Sequence, residues 1–348
     1  MPFLSLFCGP FQGHSKYSRC ALEVQTVNKY SNNFNENQKM KSLVFPGQGA
    51  QTIGMGQALA AAYPASKAIF DEVDEALGEK LSSMIWHGDI EDLTLTVNAQ
   101  PALMATSLAA VRALEAEGFA LDGVSLVAGH SLGEYSALAA VGSISIADTA
   151  RLLRIRGRAM QEAVPVGIGS MAALIGLDFK AASAVAQQAA QGEVCQAAND
   201  NDPGQVVVSG HTGAIERALI LAKEAGAKRA VLLPVSAPFH CALMEPAAKL
   251  MADALDKVHI ERPLVPLVAN VCASAISDPS AIRSLLIEQV TGPVRWRESI
   301  SFMVAEGVTD VWEIGAGKAL SGMIRRIDRS IQCKSLSTPD DIAKILAG

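Results

Sequence analysis

The sequence lacks the signatures of several large classes of protein. None of its six cysteines forms a C-x-x-C pair or a metal-ligand cluster, and no H-E-x-x-H or P-loop motif is present. Its apolar segments are short and interrupted, so none approaches the roughly 20 residues of a membrane-spanning helix. Scattered thiols in a chain of 348 residues favour a reducing cytoplasm over a disulfide framework. We expect no metal and no cofactor.

Charged residues are also scarce, and acidic ones outnumber basic ones. They make up 18% of the chain, and the formal net charge is -6. This balance argues against general binding of nucleic acid. Half of the chain is apolar, so it can bury a large core, and its length fits one large domain with an insertion or two domains.

The first 39 residues do not share the pattern of the rest. They hold several aromatic residues and clustered asparagines, without a helical or strand period. A second methionine, Met40, stands directly before an apolar strand at residues 41–45. We expect residues 1–39 to be a disordered extension, whether an upstream start, a cloning remnant or a processed leader.

A serine stands between two glycines in a G-x-S-x-G run at residues 129–133. An apolar stretch at 124–128 precedes the run, and residues 134–140 have a helical pattern. This context is typical of a nucleophile elbow, which places the Ser131 hydroxyl at a helix N-terminus. Because the bare pattern occurs by chance in roughly one chain in ten of this length, the alternative is an ordinary N-cap serine.

The first predicted strand, at residues 42–45, ends in a glycine loop at residues 46–51. A dinucleotide fingerprint would need a third glycine at position 52, where the chain has Thr52. A better use of the loop is to offer backbone amides at close range, with the glycines clearing space.

From residue 164 to residue 236 the pattern changes to six short elements. Strands are predicted at 171–177, 194–199, 205–209 and 229–235, and helices at 181–191 and 212–225. This order, βαββαβ, is typical of a ferredoxin-like fold. It indicates a small domain at residues 164–236 inserted into a larger α/β layer made of residues 40–163 and 237–348. In that layer we predict helices at 63–77, 101–118, 146–164, 281–290 and 297–306, strands at 264–271 and 310–314, and a last helix after Gly317.

One arginine of the predicted helix at residues 146–164 lies on an apolar face. Three others share a basic stripe on a single face: Arg151, Arg154 and Arg158. At about 100° per residue, Arg156 points nearly opposite to them. A lone buried arginine is costly without an acceptor. Arg156 could form an internal ion pair with Glu134, or with Glu162 if the helix bends, or it could clamp a substrate carboxylate.

A base for Ser131 must come from elsewhere in the chain. His130 is a poor candidate, because adjacent residues at a turn point apart. His240 lies in an irregular, proline-bracketed loop, where catalytic bases tend to sit. His211 and His259 are expected to be surface or structural residues.

Four motifs together are similar to one family. They are FPGQGAQ at residues 45–51, GHSLGEYSAL at 129–138, RGRAMQEAVP at 156–165 and SAPFHCALM at 236–244. With them, essentially everything after Met40 resembles the malonyl-CoA:acyl carrier protein transacylases of bacterial type II fatty-acid synthesis. The resemblance implies an α/β-hydrolase-like large domain with a ferredoxin-like insertion, which agrees with the pattern above.

The resemblance also implies a role for individual positions. Ser131 would be the nucleophile and His240 its base, oriented by the main-chain carbonyl of Gln289 rather than by an aspartate. The backbone N–H groups of Gln48 and Leu132 would form the oxyanion hole, which would explain the glycine loop.

Substrate and partner contacts are implied in the same way. Arg156 would hold the malonyl carboxylate, and Leu132 and Phe239 match the family's malonyl-selecting pattern. Acyl carrier proteins are strongly acidic, so docking on this acidic chain needs a local basic patch. The candidates lie on the last predicted helix and are Lys318, Arg325, Arg326 and Arg329. The stripe of Arg151, Arg154 and Arg158 is a candidate addition to this patch. The alternative for all of them is a solvated helix face.

The implied reaction moves a malonyl group from malonyl-CoA to the phosphopantetheine thiol of acyl carrier protein, through a malonyl-serine ester. The alternatives are a serine esterase or thioesterase, an acyltransferase partner in polyketide synthesis, and a catalytically silent scaffold. We expect a cytoplasmic monomer with no nucleic-acid or membrane partner.

Overall fold

The computed structural model describes residues 40–235 and 237–347, which contain ten strands in two sheets. The predicted disordered extension at residues 1–39 lies outside the described residues. The strands are β1 Met40–Phe45, β2 Val124–Gly129, β3 Gly169–Ile175, β4 Cys195–Asp202, β5 Gln205–His211, β6 Arg229–Leu232, β7 Leu267–Ala269, β8 Ser274–Ile276, β9 Val308–Ile314 and β10 Gln332–Leu336.

The larger sheet has six strands in the order β10-β9-β1-β2-β7-β8. All neighbours are parallel except β7 and β8, which form an antiparallel pair. In the register of β1 and β2, Phe45 pairs with Gly129, so both strands end at the same level. The glycine loop after β1 and the serine turn after β2 therefore emerge side by side. The predicted mixed α/β class is confirmed.

Fourteen α helices surround the sheets in the described residues. They are α1 Gln57–Ala62, α2 Pro64–Leu77, α3 Leu81–His87, α4 Ile90–Thr94, α5 Thr96–Ala116, α6 Gly133–Ala140, α7 Ile146–Glu162, α8 Phe179–Ala190, α9 Thr212–Glu224, α10 Glu245–Leu255, α11 Pro279–Gln289, α12 Trp296–Ala305, α13 Ala319–Ile327 and α14 Pro339–Leu346. None of them is long and apolar enough to cross a bilayer.

Both faces of the larger sheet are buried, as expected for parallel strands covered by helices. On β1, Leu43 and Phe45 face one apolar core, whereas Val44 faces another that includes Trp296. Helix α5 is buried on almost every side, because small alanine and serine side chains let its neighbours approach closely.

The smaller sheet is entirely antiparallel, in the order β4-β5-β3-β6. Along the chain its elements run β3, α8, β4, β5, α9, β6. Alternate side chains of these strands form a core of their own with α8 and α9, including Leu174, Val206 and Ile215.

Strand β4 of the smaller sheet makes polar contacts with α12 and with the segment before it. The Asp200 N–H donates to the Val294 carbonyl at 2.9 Å, and the Val294 N–H donates to Ala198 at 2.8 Å. Arg297 pairs with the buried carboxylate of Asp200 at 2.7 Å. These bonds fix the smaller sheet against the segment before α12.

Three predictions differ most from the structure. Helix α5 begins at Thr96 rather than at residue 101, with Pro101 inside it. A proline has no N–H to donate to the carbonyl four residues earlier, and the Arg154 guanidinium donates to that Val97 carbonyl instead, at 2.9 Å. The strand predicted at 264–271 shrinks to Leu267–Ala269, and it begins directly after Pro266, which has no N–H to donate to a neighbouring strand. The helix after Gly317 is not the last element, because β10 and α14 follow it.

Candidate active site

In the turn between β2 and α6, the backbone packs directly against neighbouring backbone. A Cβ atom at Gly129 would lie 1.8 Å from the carbonyl carbon of Gly133, and one at Gly133 would lie 2.3 Å from the Phe45 oxygen. Between the two glycines, Ser131 has a φ of 55°, in the left-handed region. Leu132 rather than Ser131 is the N-cap of α6, and its side chain makes no cap hydrogen bond. The turn therefore presents the serine instead of using it as a cap.

The Ser131 hydroxyl meets the imidazole of His240. Ser131 Oγ lies 2.8 Å from His240 Nε2, and His240 Nδ1 lies 2.9 Å from the main-chain oxygen of Gln289. Because a carbonyl can only accept, Nδ1 carries the proton, and the lone pair of Nε2 faces the serine hydroxyl. The arrangement can move a proton from Ser131 to His240.

His240 is only 4% exposed, and its surroundings keep it neutral. Burial first, and then the positive charge of Arg156, lower the pKa of His240 from 6.5 to about 3. The imidazole is therefore an unprotonated base throughout the neutral range. Like Ser131, His240 has a left-handed φ, of 58°.

Arg156 lies beside the Ser131 hydroxyl and is 1% exposed. Its Nη1 donates to Gln100 Oε1 at 2.7 Å, while Nη2 donates to Ser131 Oγ at 3.0 Å and to Gln289 Oε1 at 2.8 Å. These acceptors are all uncharged. A full positive charge thus stands beside the serine hydroxyl, where it can attract an anionic group.

Within the described residues, Arg156 forms no ion pair with Glu134 or with Glu162, the two internal partners considered from the sequence. The side chain of Gln289 lies between Arg156 and Glu134. The Gln289 amide accepts from Arg156 and donates to Glu134. Burial raises the pKa of Glu134 to about 8, while hydrogen bonds from Asn270 and Gln289 and the charge of Arg156 act in the opposite direction.

The glycine loop after β1 packs against the serine turn. A Cβ at Gly47 would lie 2.7 Å from the His130 oxygen. The next residue, Gln48, accepts through Oε1 from the Thr96 hydroxyl at 2.8 Å. Among the described residues, the backbone N–H groups of Gln48 and Leu132 donate no hydrogen bond. Both groups are therefore available to a ligand oxygen.

The other predicted site residues lie in two settings. Phe239 and Leu132 are both buried in the large apolar core. The four basic candidates are exposed on and beside α13: Lys318, Arg325, Arg326 and Arg329. Arg326 is not a free charge, because it pairs with Asp202 of β4 at 2.7 Å.

Sequence reasoning missed the side chains of Asn270, Gln289 and Gln100, all of which contact the serine turn or Arg156. Asn270 follows β7, and residues at the carboxyl ends of parallel strands often line sites. The predicted strand ran on to residue 271 and concealed that signal. His130 is a hydrogen-bonding residue, since its Nε2 lies 2.9 Å from Asn201 Oδ1.

The fold and the site define an α/β protein with a serine–histidine pair at a nucleophile turn. The chain belongs to the acyl transferase domain family, whose sequence model matches residues 42–328. A malonyl CoA-acyl carrier protein transacylase of Bacillus subtilis (strain 168) is 48% identical over 302 residues, which are 86% of this chain and 94% of the relative.

Solved structures of transacylases are also similar to this chain. The crystal structure of an acyl-carrier-protein-S-malonyltransferase from Bartonella henselae is 54% identical, with a TM-score of 0.87, over 88% of this chain and 98% of the other. A malonyl-transacylase in complex with a type II PKS acyl-carrier protein is 41% identical, with a TM-score of 0.86, over 88% of this chain and 99% of the other. The resemblance drawn from the four motifs is confirmed.

The low pKa of His240 predicts how the reactivity of Ser131 depends on pH. The second-order rate constant for modification of Ser131 by a fluorophosphonate reports the free enzyme. Since the neutral imidazole is the active form and its pKa is about 3, we expect this rate constant to stay constant from about pH 8 to about pH 5.5. If His240 had an ordinary histidine pKa, the rate constant would be about tenfold lower at about pH 5.5. Circular dichroism at each pH is the control for folding, and a midpoint near 6.5 would contradict the expectation.

Proposed function

We propose that this protein transfers the malonyl group of malonyl-CoA to the phosphopantetheine thiol of acyl carrier protein, through an ester on Ser131, in fatty-acid biosynthesis. One observation carries the proposal. The Ser131 hydroxyl lies between a neutral base, His240 Nε2 at 2.8 Å, and a buried guanidinium, Arg156 Nη2 at 3.0 Å. A nucleophile beside a fixed positive charge suits an acyl group that ends in a carboxylate.

In the first half-reaction, Ser131 Oγ attacks the thioester carbon while His240 Nε2 takes the hydroxyl proton. The carbonyl oxygen becomes an oxyanion and accepts from the backbone N–H groups of Gln48 and Leu132. Collapse of the tetrahedral intermediate breaks the carbon–sulfur bond. The CoA thiolate leaves with the proton held by His240, and a malonyl-serine ester remains.

The second half-reaction reverses these steps with a different thiol. The phosphopantetheine thiol gives its proton to His240 Nε2 and attacks the ester carbon. The same two N–H groups receive the oxyanion. Collapse expels Ser131 Oγ, which regains the proton from His240. All of these steps use groups of the chain itself, so we propose that no metal or cofactor takes part.

Malonyl selectivity is attributed to Arg156, with Leu132 and Phe239 shaping the acyl pocket. A planar guanidinium can hold a carboxylate through two parallel hydrogen bonds. Nη2 of Arg156 is already within reach of Ser131 Oγ, so a carboxylate two carbons from the ester carbonyl would be close to it. The cost of burying the substrate's charge is offset by the charge already present.

The fold is assigned to an α/β-hydrolase-like large domain, residues 40–163 and 237–348, with a ferredoxin-like small domain at residues 164–236. The parallel sheet with its serine turn after β2 supports the first assignment. The antiparallel order β4-β5-β3-β6, with a separate core between residues 172 and 222, supports the second.

The relatives named as transacylases favour transfer over hydrolysis and over a silent scaffold. The placement of His240 agrees with this, because its Nδ1 partner is a main-chain carbonyl instead of the acid that hydrolases use. Three cysteines of the described residues are free thiols, Cys195, Cys241 and Cys333, which supports the cytoplasm as the compartment. That the enzyme is a monomer stays a prediction, as does the absence of nucleic-acid and membrane partners.

Brief exposure to malonyl-CoA tests the function. Intact-mass analysis should show one malonyl adduct, located on the Ser131 peptide, and addition of holo acyl carrier protein should remove it from the enzyme and place it on the carrier. Ser131→Ala should show no adduct. Rapid release of CoA without any acceptor would mean a hydrolase, and no adduct at all would mean a scaffold.

Replacement of Arg156 by alanine should alter the choice of acyl group. The malonyl carboxylate would then be buried without a partner, which costs about 3–5 kcal/mol. We expect the rate of Ser131 loading to fall roughly a hundredfold or more with malonyl-CoA, and far less with acetyl-CoA. Arg158→Ala, an exposed change on the same helix, is the matched control. Equal losses with both substrates would make Arg156 a structural residue.

The exposed basic residues at α13 are proposed as the docking site for acyl carrier protein. Lys318→Glu with Arg325→Glu should slow transfer to the carrier roughly tenfold at low salt and leave loading from malonyl-CoA unchanged, because charges at an interface rim act on association. Arg326 is left in place, since it pairs with Asp202. Lys67→Glu with Lys249→Glu, two exposed reversals on α2 and α10, makes the same change in net charge and is the matched control. An equal loss of rate in both half-reactions would mean that this surface is not the docking site.

A further inference from the structure

Asn270 is fully buried directly after β7, and all of its hydrogen-bonding groups have partners. Its side-chain Oδ1 accepts from the Ser131 N–H at 2.8 Å, and its Nδ2 donates to the Gly129 carbonyl at 2.7 Å. Its backbone N–H donates to Glu134 Oε1 at 2.7 Å, and its carbonyl accepts from the Arg295 N–H at 3.1 Å. The side chain thus spans the turn that carries the nucleophile, and the backbone is fixed from two sides.

The serine turn needs such a partner for a physical reason. With a φ of 55°, Ser131 leaves the ladder of β2 before α6 begins. Its N–H and the Gly129 carbonyl are then a donor and an acceptor without backbone partners, and burying such groups unpaired is unfavourable. A primary amide offers one acceptor and one donor side by side, which matches this pair. The side chain of Asn270 therefore stabilises the left-handed conformation of Ser131.

Opposite Asn270, the Ser131 carbonyl accepts from Gln289 Nε2 at 2.9 Å. Gln289 also holds His240 through its main-chain oxygen. The backbone of the nucleophile is thus held by two side chains, and one of these belongs to the residue that fixes the base. A small rotation of the Ser131 peptide would change the 2.8 Å distance from Oγ to His240 Nε2.

We propose that Asn270 is a positioning residue for the attack by Ser131. It acts through the Ser131 backbone and holds the turn in the conformation that directs the hydroxyl at His240 Nε2. The proposal rests on the proposed function only in that acyl transfer is the reaction that the attack serves. Asn270 controls the rate of attack. It does not contribute to binding of the acyl donor, which we assign to Arg156 and its surroundings.

Asn270→Asp is the informative variant, because it keeps the volume and the acceptor for the Ser131 N–H. It replaces the donor facing the Gly129 carbonyl with an oxygen, and it places a second carboxyl group next to Glu134. Asn270→Ala removes both bonds. Asn98→Asp is the matched control, since Asn98 is also buried and donates to a main-chain carbonyl, that of Asp92, away from the serine turn.

Three measurements on the full chain test the proposal. They are the second-order rate constant for modification of Ser131 by a fluorophosphonate, the single-turnover rate of loading from malonyl-CoA, and the malonyl-CoA affinity of the same variants in a Ser131→Ala background. We expect both rates to fall about 100-fold in Asn270→Asp and Asn270→Ala, the loss that a misplacement near 1 Å produces. Affinity should stay within about threefold, and Asn98→Asp should resemble the parent protein.

Unchanged rates in folded Asn270 variants would overturn the proposal, and so would an affinity that falls in parallel with the rates. Failure of both variants to fold would also overturn it, because Asn270 would then serve the fold rather than the attack. The fluorophosphonate separates this result from the fate of the proposed function. If the parent protein is not loaded by malonyl-CoA but its phosphonylation depends on Asn270, the function fails and the positioning role stands.

Discussion

The contacts of Gln289 are the interaction on which the rest of the site depends. Its main-chain oxygen lies 2.9 Å from His240 Nδ1, its Oε1 accepts from Arg156, and its Nε2 donates to the Ser131 carbonyl. One residue at the end of α11 therefore sets the tautomer of His240, the place of Arg156 and the backbone of Ser131. Since a carbonyl cannot accept a proton from imidazole at neutral pH, it orients His240 without adding a charge.

Burial acts on two basic groups in this pocket with opposite results. It lowers the pKa of both His240 and Arg156. Histidine has an ordinary value near 6.5, so the shift leaves it neutral over the working range, whereas guanidinium starts so high that it stays charged. Arg156 also disfavours protonation of its neighbour His240. The site thus holds a neutral imidazole beside a permanent cation, a combination that suits the proposed deprotonation of Ser131 in the presence of an anionic acyl group.

Local patterns predicted the parts of the site that local geometry decides. The strand, glycines and helix around Ser131 specify a tight turn, and helical periodicity alone placed Arg156 on the buried face of α7. Asn270 and Gln100 could not be found in this way, because the site groups that they contact, the serine turn and Arg156, lie far away in sequence and no spacing rule relates them. Pro101 misled the prediction of α5 for a similar reason, since the side chain that compensates for its missing N–H belongs to α7.

Helices α5 and α7 show how two unfavourable residues help to build the site. Pro101 leaves the Val97 carbonyl without a helical partner, and Arg154 supplies one. Gly157 lets α7 come very close to the start of α5, because a Cβ atom at position 157 would lie 2.6 Å from the Thr96 oxygen. Both features cost helix stability in isolation, yet they bring Arg156 within 2.7 Å of Gln100. Because Gln100 also donates to the Thr96 hydroxyl, which in turn donates to Gln48, the packing of these two helices links the guanidinium to the glycine loop that faces Ser131.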